Sequence, residues 1–510
     1  MPLTERQTMN KKLPSTYYNW LSLTGTGVAL VGLSIFLFLY VYDLASPHTS
    51  PYFGIINYII LPVGVILGLI LIPIGMIRER KRRADGKEPA LPTKFSIDFS
   101  NTRHRNAFFG FLIVTAIFLI GTAIGSYQAY HYTETVEFCG QVCHTIMEPE
   151  YTAYTQSPHA RVTCTECHVG EGASWYVKSK LSGAYQVYAA LANVYPRPIP
   201  TPVENLRPAQ ETCEQCHWPD KFYGRREKEI HRFVANEENT MWTYDMLINI
   251  GGRKYSASEH SGIHWHIANE VEYIARDSAR QDIPWVQVTY EDGSTETFES
   301  QWEPASDSLI QEAEGRVMDC IDCHNRPTHI YRSPNKLVDE ALYTGEISPR
   351  LPYIKREAVY ALRQDYSVKD SALSKIEHQL RNFYRENYPG VTDTLRAELN
   401  QAITTVKEHY RNNFFPYMKV RWDTHYNNVG HSEDLGCYRC HNGSMVNDAG
   451  EAITHDCNAC HTILEQGPEG DMVFANNDEQ GLEFNHPVNI GGAWQSMACS
   501  ECHNGGGAVF

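Results

Sequence analysis

The sequence predicts a mainly α protein in which three transmembrane helices precede a loop-rich outer domain carrying a small β insert. Three observations carry that expectation. Three uncharged stretches near the N-terminus are each long enough to cross a bilayer, all 14 Cys lie beyond residue 138, and every Cys belongs to a pair followed directly by a His. At 510 residues the chain is also too long for one ordinary core, so a membrane part and an outer part are expected. Charge divides the same way: residues 1–130 carry +6, leaving −22 for the rest of a chain whose total is −16. So acidic an outer region argues against a nucleic-acid partner.

The apolar stretches run from about Trp20 to Tyr42, Phe53 to Ile77 and Ala107 to Tyr130. The first is too long for a signal peptide and lacks a small-residue cleavage site, so it is read as a retained span. Pro62 and Pro73 fall inside the second stretch, where a kink is tolerated if neighbouring groups satisfy the freed carbonyls. Arg6, Lys11 and Lys12 precede the first span, and Arg78, Arg80, Lys81, Arg82, Arg83 and Lys87 follow the second, whereas the loop from Asp43 to Tyr52 has no basic residue. This asymmetry puts the N-terminus and the basic loop in the cytoplasm, where the basic run also meets anionic membrane lipid. Everything after His131 is then outside, in the periplasm of a bacterium whose cytoplasmic (inner) membrane holds the anchor.

Six of the Cys pairs have a two-residue spacer: Cys164 and Cys167 before His168, Cys213 and Cys216 before His217, Cys320 and Cys323 before His324, Cys437 and Cys440 before His441, Cys457 and Cys460 before His461, and Cys499 and Cys502 before His503. The seventh, Cys139 and Cys143 before His144, has three residues between its thiols. Two thioethers clamp the vinyl groups of a porphyrin, and the adjacent His is thereby delivered beneath the iron as its proximal ligand. Disulfides would not require a His after every second Cys, and zinc would draw four ligands from paired units. The expected cofactors are therefore seven covalently bound haem c, and the outer region reads as a multihaem cytochrome c domain. The porphyrins are expected to supply much of its apolar core, and haems packed so densely form an electron wire.

Seven irons need sixth ligands, and fifteen His lie outside the motifs. His159, His264, His266, His329, His425, His431, His455 and His486 stand near motifs or in Gly- and Pro-rich loops and are the distal candidates. Met147, three residues after His144, is a candidate thioether ligand for the first haem, with Met445 a weaker one. His48 and His104 lie in loops that no outer iron reaches, His378 falls off the apolar stripe Leu373, Ile376, Leu380 and Phe383, and His409 fits a core position or a ligand equally.

The expected organisation is a membrane anchor at 1–130, a three-haem head at 131–220, a haem-free insert at 221–319 and a four-haem tail at 320–510. In the insert, strand-like runs cover Trp242 to Ile250 and Trp285 to Phe298, the latter turning at Asp292-Gly293. Residues 352–413 read as helices, with Leu395, Leu399, Ile403, Val406 and Tyr410 repeating at three and four.

The string FCGQVCHTIMEPEYTAYTQSPHARVTCTECHVGEGASWYVKSK resembles the NapC/NirT/NrfH family of membrane-anchored quinol dehydrogenases. Shared features are a membrane helix ending at the first motif, a nearby Met, the His of SPHARVTC and the Lys residues after the second motif. This part covers about residues 107–220. Over nearly the full chain, segments such as GIHWH, GHSEDLGCYRCHNG and HDCNACHTILEQGP resemble the seven-haem inner-membrane cytochromes of the ImcH type found in metal-reducing bacteria. The resemblance implies quinol oxidation beside the first haem, with menaquinol or ubiquinol as substrate, and a periplasmic c-type cytochrome as acceptor. It further implies Met147 as an axial ligand, His159 as the sixth ligand of another haem in the head, and Lys178 or Lys180 near the quinol oxygen. Two departures stand out: the Met follows the motif His by three residues rather than two, and no acidic residue occurs from Gly172 to Val203, leaving Gln186 as the nearest polar substitute.

Quinol oxidation at a bilayer surface needs an apolar entry, a polar group for the hydroxyls and an iron within reach, which the junction from Tyr127 to Cys143 offers. Lys178 and Lys180 serve that site or anchor the chain at the headgroups. Two other readings compete with the quinol dehydrogenase: a terminal reductase with its own small-anion substrate at an open haem, and a relay or docking subunit fed by another membrane protein. In every reading the acidic surface should dock a basic partner at a rate that falls with salt.

Overall fold

The computed structural model describes residues 14–45, 60–88, 99–169, 173–203, 206–222, 224–251, 262–290, 292–478 and 480–503. The chain divides into two compact units, Met1–Thr135 with His168–Val187, and Val136–Cys167 with Tyr188–Phe510.

Three helices of the first unit, α1 (Trp20–Ala45), α2 (Leu61–Ala84) and α3 (Thr102–Thr133), are long and apolar enough to cross a membrane. Phe38, Leu67 and Ile117 point outward, as side chains solvated by lipid do. α1 and α2 pack backbone against backbone through small residues: a Cβ on Gly25 would lie 2.6 Å from the Gly68 carbonyl oxygen, and one on Gly68 would lie 2.7 Å from the Ala29 nitrogen. The Ser22 hydroxyl seals the hairpin by donating to the Ile72 carbonyl at 2.9 Å. Near its C-terminal end α2 ties back to the start of the chain, where Arg83 donates to the Ser15 carbonyl at 2.8 Å and pairs with buried Glu79 at 2.9 Å.

Two expectations are corrected here. Pro62 lies in the first turn of α2, where its missing N–H has no acceptor to serve, so only Pro73 is interior. The helix also does not stop at Ile77: the basic run continues it to Ala84, because Arg and Lys are good helix formers and cations in a last turn suit the helix dipole. Residues 53–59 of the expected second span, and His48, lie outside the described residues. α3 starts earlier than expected because the Asn101 side chain caps it, accepting from Arg103 N at 3.0 Å.

After α3 come α4 (His144–Thr155) and α5 (Ala173–Ala192). The second unit carries two antiparallel sheets. One has the order β1 (Arg225–Phe233), β2 (Met241–Asn249), β8 (His461–Pro468), β9 (Val473–Phe474); the other runs β6 (Arg316–Val317), β3 (Glu270–Ile274), β4 (Trp285–Thr289), β5 (Thr295–Ser300), β7 (Met445–Val446). The expected turn is present: Tyr290 N donates to Ser294 O at 2.8 Å, and Gly293 takes φ +81, which glycine alone adopts freely. The insert does not pair only with itself. β2 would leave an open ladder edge, and β8 from the far end of the chain covers it, with Met246 opposite Ile463.

Four helices form the main core: α6 (Pro334–Tyr343), α7 (Ile354–Arg363), α8 (Lys369–Asn387) and α9 (Arg396–Asn413). Leu337, Ile354, Leu362, Ile376, Leu380 and Val406 are fully buried, each contributing roughly 1.5–3 kcal/mol of apolar transfer. Phe414, Phe415, Val420 and Trp422 extend this core beyond α9. It also begins earlier than residue 352, with α6 capped by the Ser333 side chain accepting from Lys336 N. The buried line of α8 is Ala372, Ile376, Leu380 and Tyr384, so Leu373 and Phe383 flank it. A buried Lys355–Asp339 pair at 2.6 Å locks α7 to α6, and Asp339 also accepts from Phe233 N at 3.0 Å, tying in β1.

Candidate functional site

Each two-spacer motif begins as a short helical turn, at Cys164–His168, Cys213–Gln215, Cys320–Cys323, Gly436–Arg439, Cys457–Cys460 and Cys499–His503. A helical turn puts residues three apart on one face, so both thiols of a pair are presented together. Three of these turns are closed by an acid that reaches back over the first Cys: Thr163 N donates to Glu166 at 2.9 Å, Asp319 N to Asp322 at 2.8 Å, and Ala498 N to Glu501 at 2.9 Å. In the first motif the extra residue is absorbed by a π-helical turn, Phe138–Val142, which sets Cys139 and Cys143 one turn apart. None of the 14 Cys, all of which are described, forms a disulfide.

Four motif imidazoles face a second imidazole. Ring centres are 6.0 Å apart for His159 and His217, 5.6 Å for His266 and His441, 6.0 Å for His431 and His461, and 6.0 Å for His486 and His503. The Nε2 atoms of His266 and His441 are 3.4 Å apart. Two imidazoles bound on opposite sides of one metal at about 2 Å have centres about 6 Å apart, so these pairs fit an iron between them. His264 neighbours His324 electrostatically and lies 4.5 Å from the Phe222 ring.

The Nδ1 atoms are held so that Nε2 is the free face. His264 Nδ1 meets Ile250 O at 2.6 Å, His266 meets Ile263 O at 2.9 Å, His441 meets Thr454 O at 2.6 Å and His486 meets Val488 O at 2.7 Å. Burial pushes the pKa of His266, His324, His431, His441, His461 and His503 below the ordinary histidine value, which keeps the rings neutral and able to ligate.

The remaining candidates meet other groups. His329 Nδ1 lies 3.0 Å from a Glu150 carboxylate oxygen, and His425 Nδ1 lies 3.1 Å from the Thr201 hydroxyl with its own Nε2 buried and unpartnered. Burial, with Arg326 beside it, pushes His425 down to about 4. His455 stands against Gly443. Met147 is half-buried on α4, one turn beyond His144, whose side chain lies outside those described. Met445 is a core residue of the second sheet. His378 is exposed and bonded to Asn382 at 2.7 Å, while His409 is half-buried on α9 with an unpartnered Nε2.

At the C-terminal end of α3, Glu134 forms the C-cap and its carboxylate lies 3.9 Å from Lys180 Nζ on α5. Lys178 sits over the Trp175 ring at 4.8 Å, and Gln186 donates to the Ser182 hydroxyl at 3.3 Å. Leu181 and Tyr185 are exposed on the same helix. A carboxylate beside Lys180 thus comes from outside the window Gly172 to Val203, which has no acidic residue. Glu134 was overlooked there; the signal for it is local, since it is the first acid after the third membrane stretch and precedes Cys139 closely.

A family model for the N-terminal region of the NapC/NirT cytochrome c family matches residues 101–198, from α3 through both Lys residues. The chain is 44% identical over 498 residues to the cytochrome c-type protein ImcH of Geobacter sulfurreducens, covering 97% of this chain and 96% of that protein. No solved structure matches the chain.

Proposed function

The chain belongs to the NapC/NirT cytochrome c family as an ImcH-like membrane cytochrome that carries covalently bound haem c and transfers electrons, and we propose that it is a quinol dehydrogenase. It oxidises menaquinol or ubiquinol at the outer face of the bacterial cytoplasmic membrane, with its N-terminus in the cytoplasm, and delivers the electrons to a periplasmic c-type cytochrome. The observation that carries this reading is the pair at the end of a membrane helix, where Glu134 meets Lys180 at 3.9 Å.

Quinol oxidation yields quinone, two protons and two electrons, so the site must take protons and electrons separately. Lys180 polarises a quinol oxygen and Glu134 accepts the proton that leaves it. Lys178, stacked on Trp175, and exposed Leu181 and Tyr185 hold the helix at the lipid headgroups and give the quinone tail an apolar approach. Gln186 orients the ring through the Ser182 side of the helix. When bound, haem c would supply a one-electron iron couple, so the two electrons of one quinol call for two such couples.

Seven Cys pairs would hold seven haems, each with its motif His as proximal ligand. His159, His266, His431 and His486 would hold the haems of His217, His441, His461 and His503 from the other side, His264 would do so for His324 and Met147 for His144; His329, His425 and His455 complete the candidate set. Imidazoles on both sides at so many motifs favour electron transfer over a terminal reductase, which needs an open iron.

Stopped-flow mixing of the oxidised, detergent-solubilised protein with a menaquinol analogue tests the reading. Rapid reduction is expected, slowed about 100-fold by Glu134→Gln or Lys180→Ala as loss of a general acid–base partner does, with dithionite reduction intact. A wild-type protein that quinol leaves oxidised while dithionite reduces it would make the chain a relay fed by another membrane protein.

A further inference from the structure

We infer that the fourth attachment segment, Cys320 to His324, is the single bridge between the three haems of the head and the three of the far tail, held in that place by Asp322. The inference rests on the quinol dehydrogenase reading for the direction of flow, but its geometry does not.

The segment touches a neighbour on each side. Toward the head, the turn Cys320–Cys323 packs against Ala209–Thr212, the turn that leads directly into Cys213. Toward the tail, the Asp322 carbonyl accepts from Arg439 Nη2 at 2.9 Å and from Asn428 Nδ2 at 3.0 Å, and Cys323 neighbours both Cys437 and Cys440. Arg439 itself lies between the two Cys of the fifth motif. One residue of the fourth motif therefore holds the fifth, while its turn packs on the segment that leads into the third.

Asp322 is built into this position more firmly than a surface loop requires. Its carboxylate is buried and accepts from Arg316 Nε at 2.7 Å, Tyr273 hydroxyl at 2.7 Å and Arg280 Nη1 at 3.3 Å, and it closes the turn through Asp319 N. Three directions are thus fixed at once: the motif's own turn, the second sheet through Tyr273 on β3, and the fifth motif through the carbonyl. Links within the outer groups are of the same kind but do not pass through the fourth segment. In the head, the His159 ring faces His217; in the tail, the His431 ring stacks on Tyr438 at 4.4 Å and faces His461. A single bridge makes all flow between entry and exit pass this point.

The test removes the bridge from the full-length, solubilised protein with Cys320→Ala/Cys323→Ala. Haem content by pyridine haemochromogen should fall from seven to six. A menaquinol analogue should then rapidly reduce three of those six, while dithionite reduces all six; rapid reduction of more than three by quinol overturns the inference. Independently of quinol, the low-temperature EPR spectrum of the oxidised variant should lose its spin coupling at two other haems, one on each side. A change at only one haem, or at none, overturns the bridge even if quinol oxidation stands. If wild type and variant both ignore quinol, the quinol reading fails and the EPR result still decides the bridge. Should the double variant not accumulate, Asp322→Asn keeps both thiols and should divide quinol reduction into a fast half and a delayed half, with Asp322→Glu restoring a single phase; a single wild-type phase in Asp322→Asn overturns the role given to its carboxylate.

Discussion

The helical bundle from α6 to Trp422 and the segment from Cys437 to His503 belong to the same compact unit, yet they are held together by different means. In the bundle, Leu337, Ile354, Leu362, Ile376 and Leu380 have no exposed surface at all. In the final segment, among the described residues, the buried apolar side chains are Cys440, Met445 and Ile463, beside buried Ser444, Thr462 and Gln466. The first region has an apolar core of its own, and the second, if its thiols and imidazoles hold haems, would depend on them for its organisation.

The largest test of this contrast is to make the protein without haem attachment. The bundle should remain resistant to limited proteolysis and residues 437–503 should be cut early, as mapped by mass spectrometry; equal resistance in both would break the contrast. Next, Leu380→Ala should cost the bundle about 2–5 kcal/mol in denaturant unfolding through cavity formation, while the haem absorption bands stay in place. In the other region, His266→Ala should leave stability of the bundle unchanged but turn the haem at His441 high-spin, seen in the near-infrared and EPR spectra. The smallest effect is that of pH on the bundle. Hydrogen bonds from Lys407 and Arg381 hold the Glu377 carboxyl below its usual range, a modest burial cost opposing them. A lowered carboxylate pKa stabilises above the unfolded value and is lost as pH falls through the folded one. Thermal unfolding of the bundle should therefore weaken below about pH 4 by roughly 0.3–1 kcal/mol for this exposed cluster, and Glu377→Gln should remove that part of the dependence.

What the sequence made legible was what local pattern encodes. The three spans, the attachment motifs, the turn at Asp292-Gly293 and the stripe of α9 all follow from spacing within a few turns or one hairpin. The phase of α8 was off by one position because burial follows the helix's setting against α9 and selects Tyr384 over Phe383, which periodicity alone does not distinguish. The pairing of β2 with β8 was invisible, since edge protection between remote strands leaves no local mark. The same holds for the site: fourteen thiols and seven imidazoles were legible residue by residue, whereas the facing of His159 with His217 or of Glu134 with Lys180 depends on how the chain returns on itself. Candidate ligands could be named in advance, but not who faces whom.

The β2–β8 pairing also sets a timetable for biosynthesis. Met246 waits for Ile463, which at roughly 5–20 residues per second leaves the ribosome about 10–40 s later. Through that interval the β2 edge is available to any passing strand, so a chaperone or rapid haem ligation nearby has reason to occupy it. A truncated product ending before residue 461 would never close that edge, and proteases would meet an open sheet rather than a finished one.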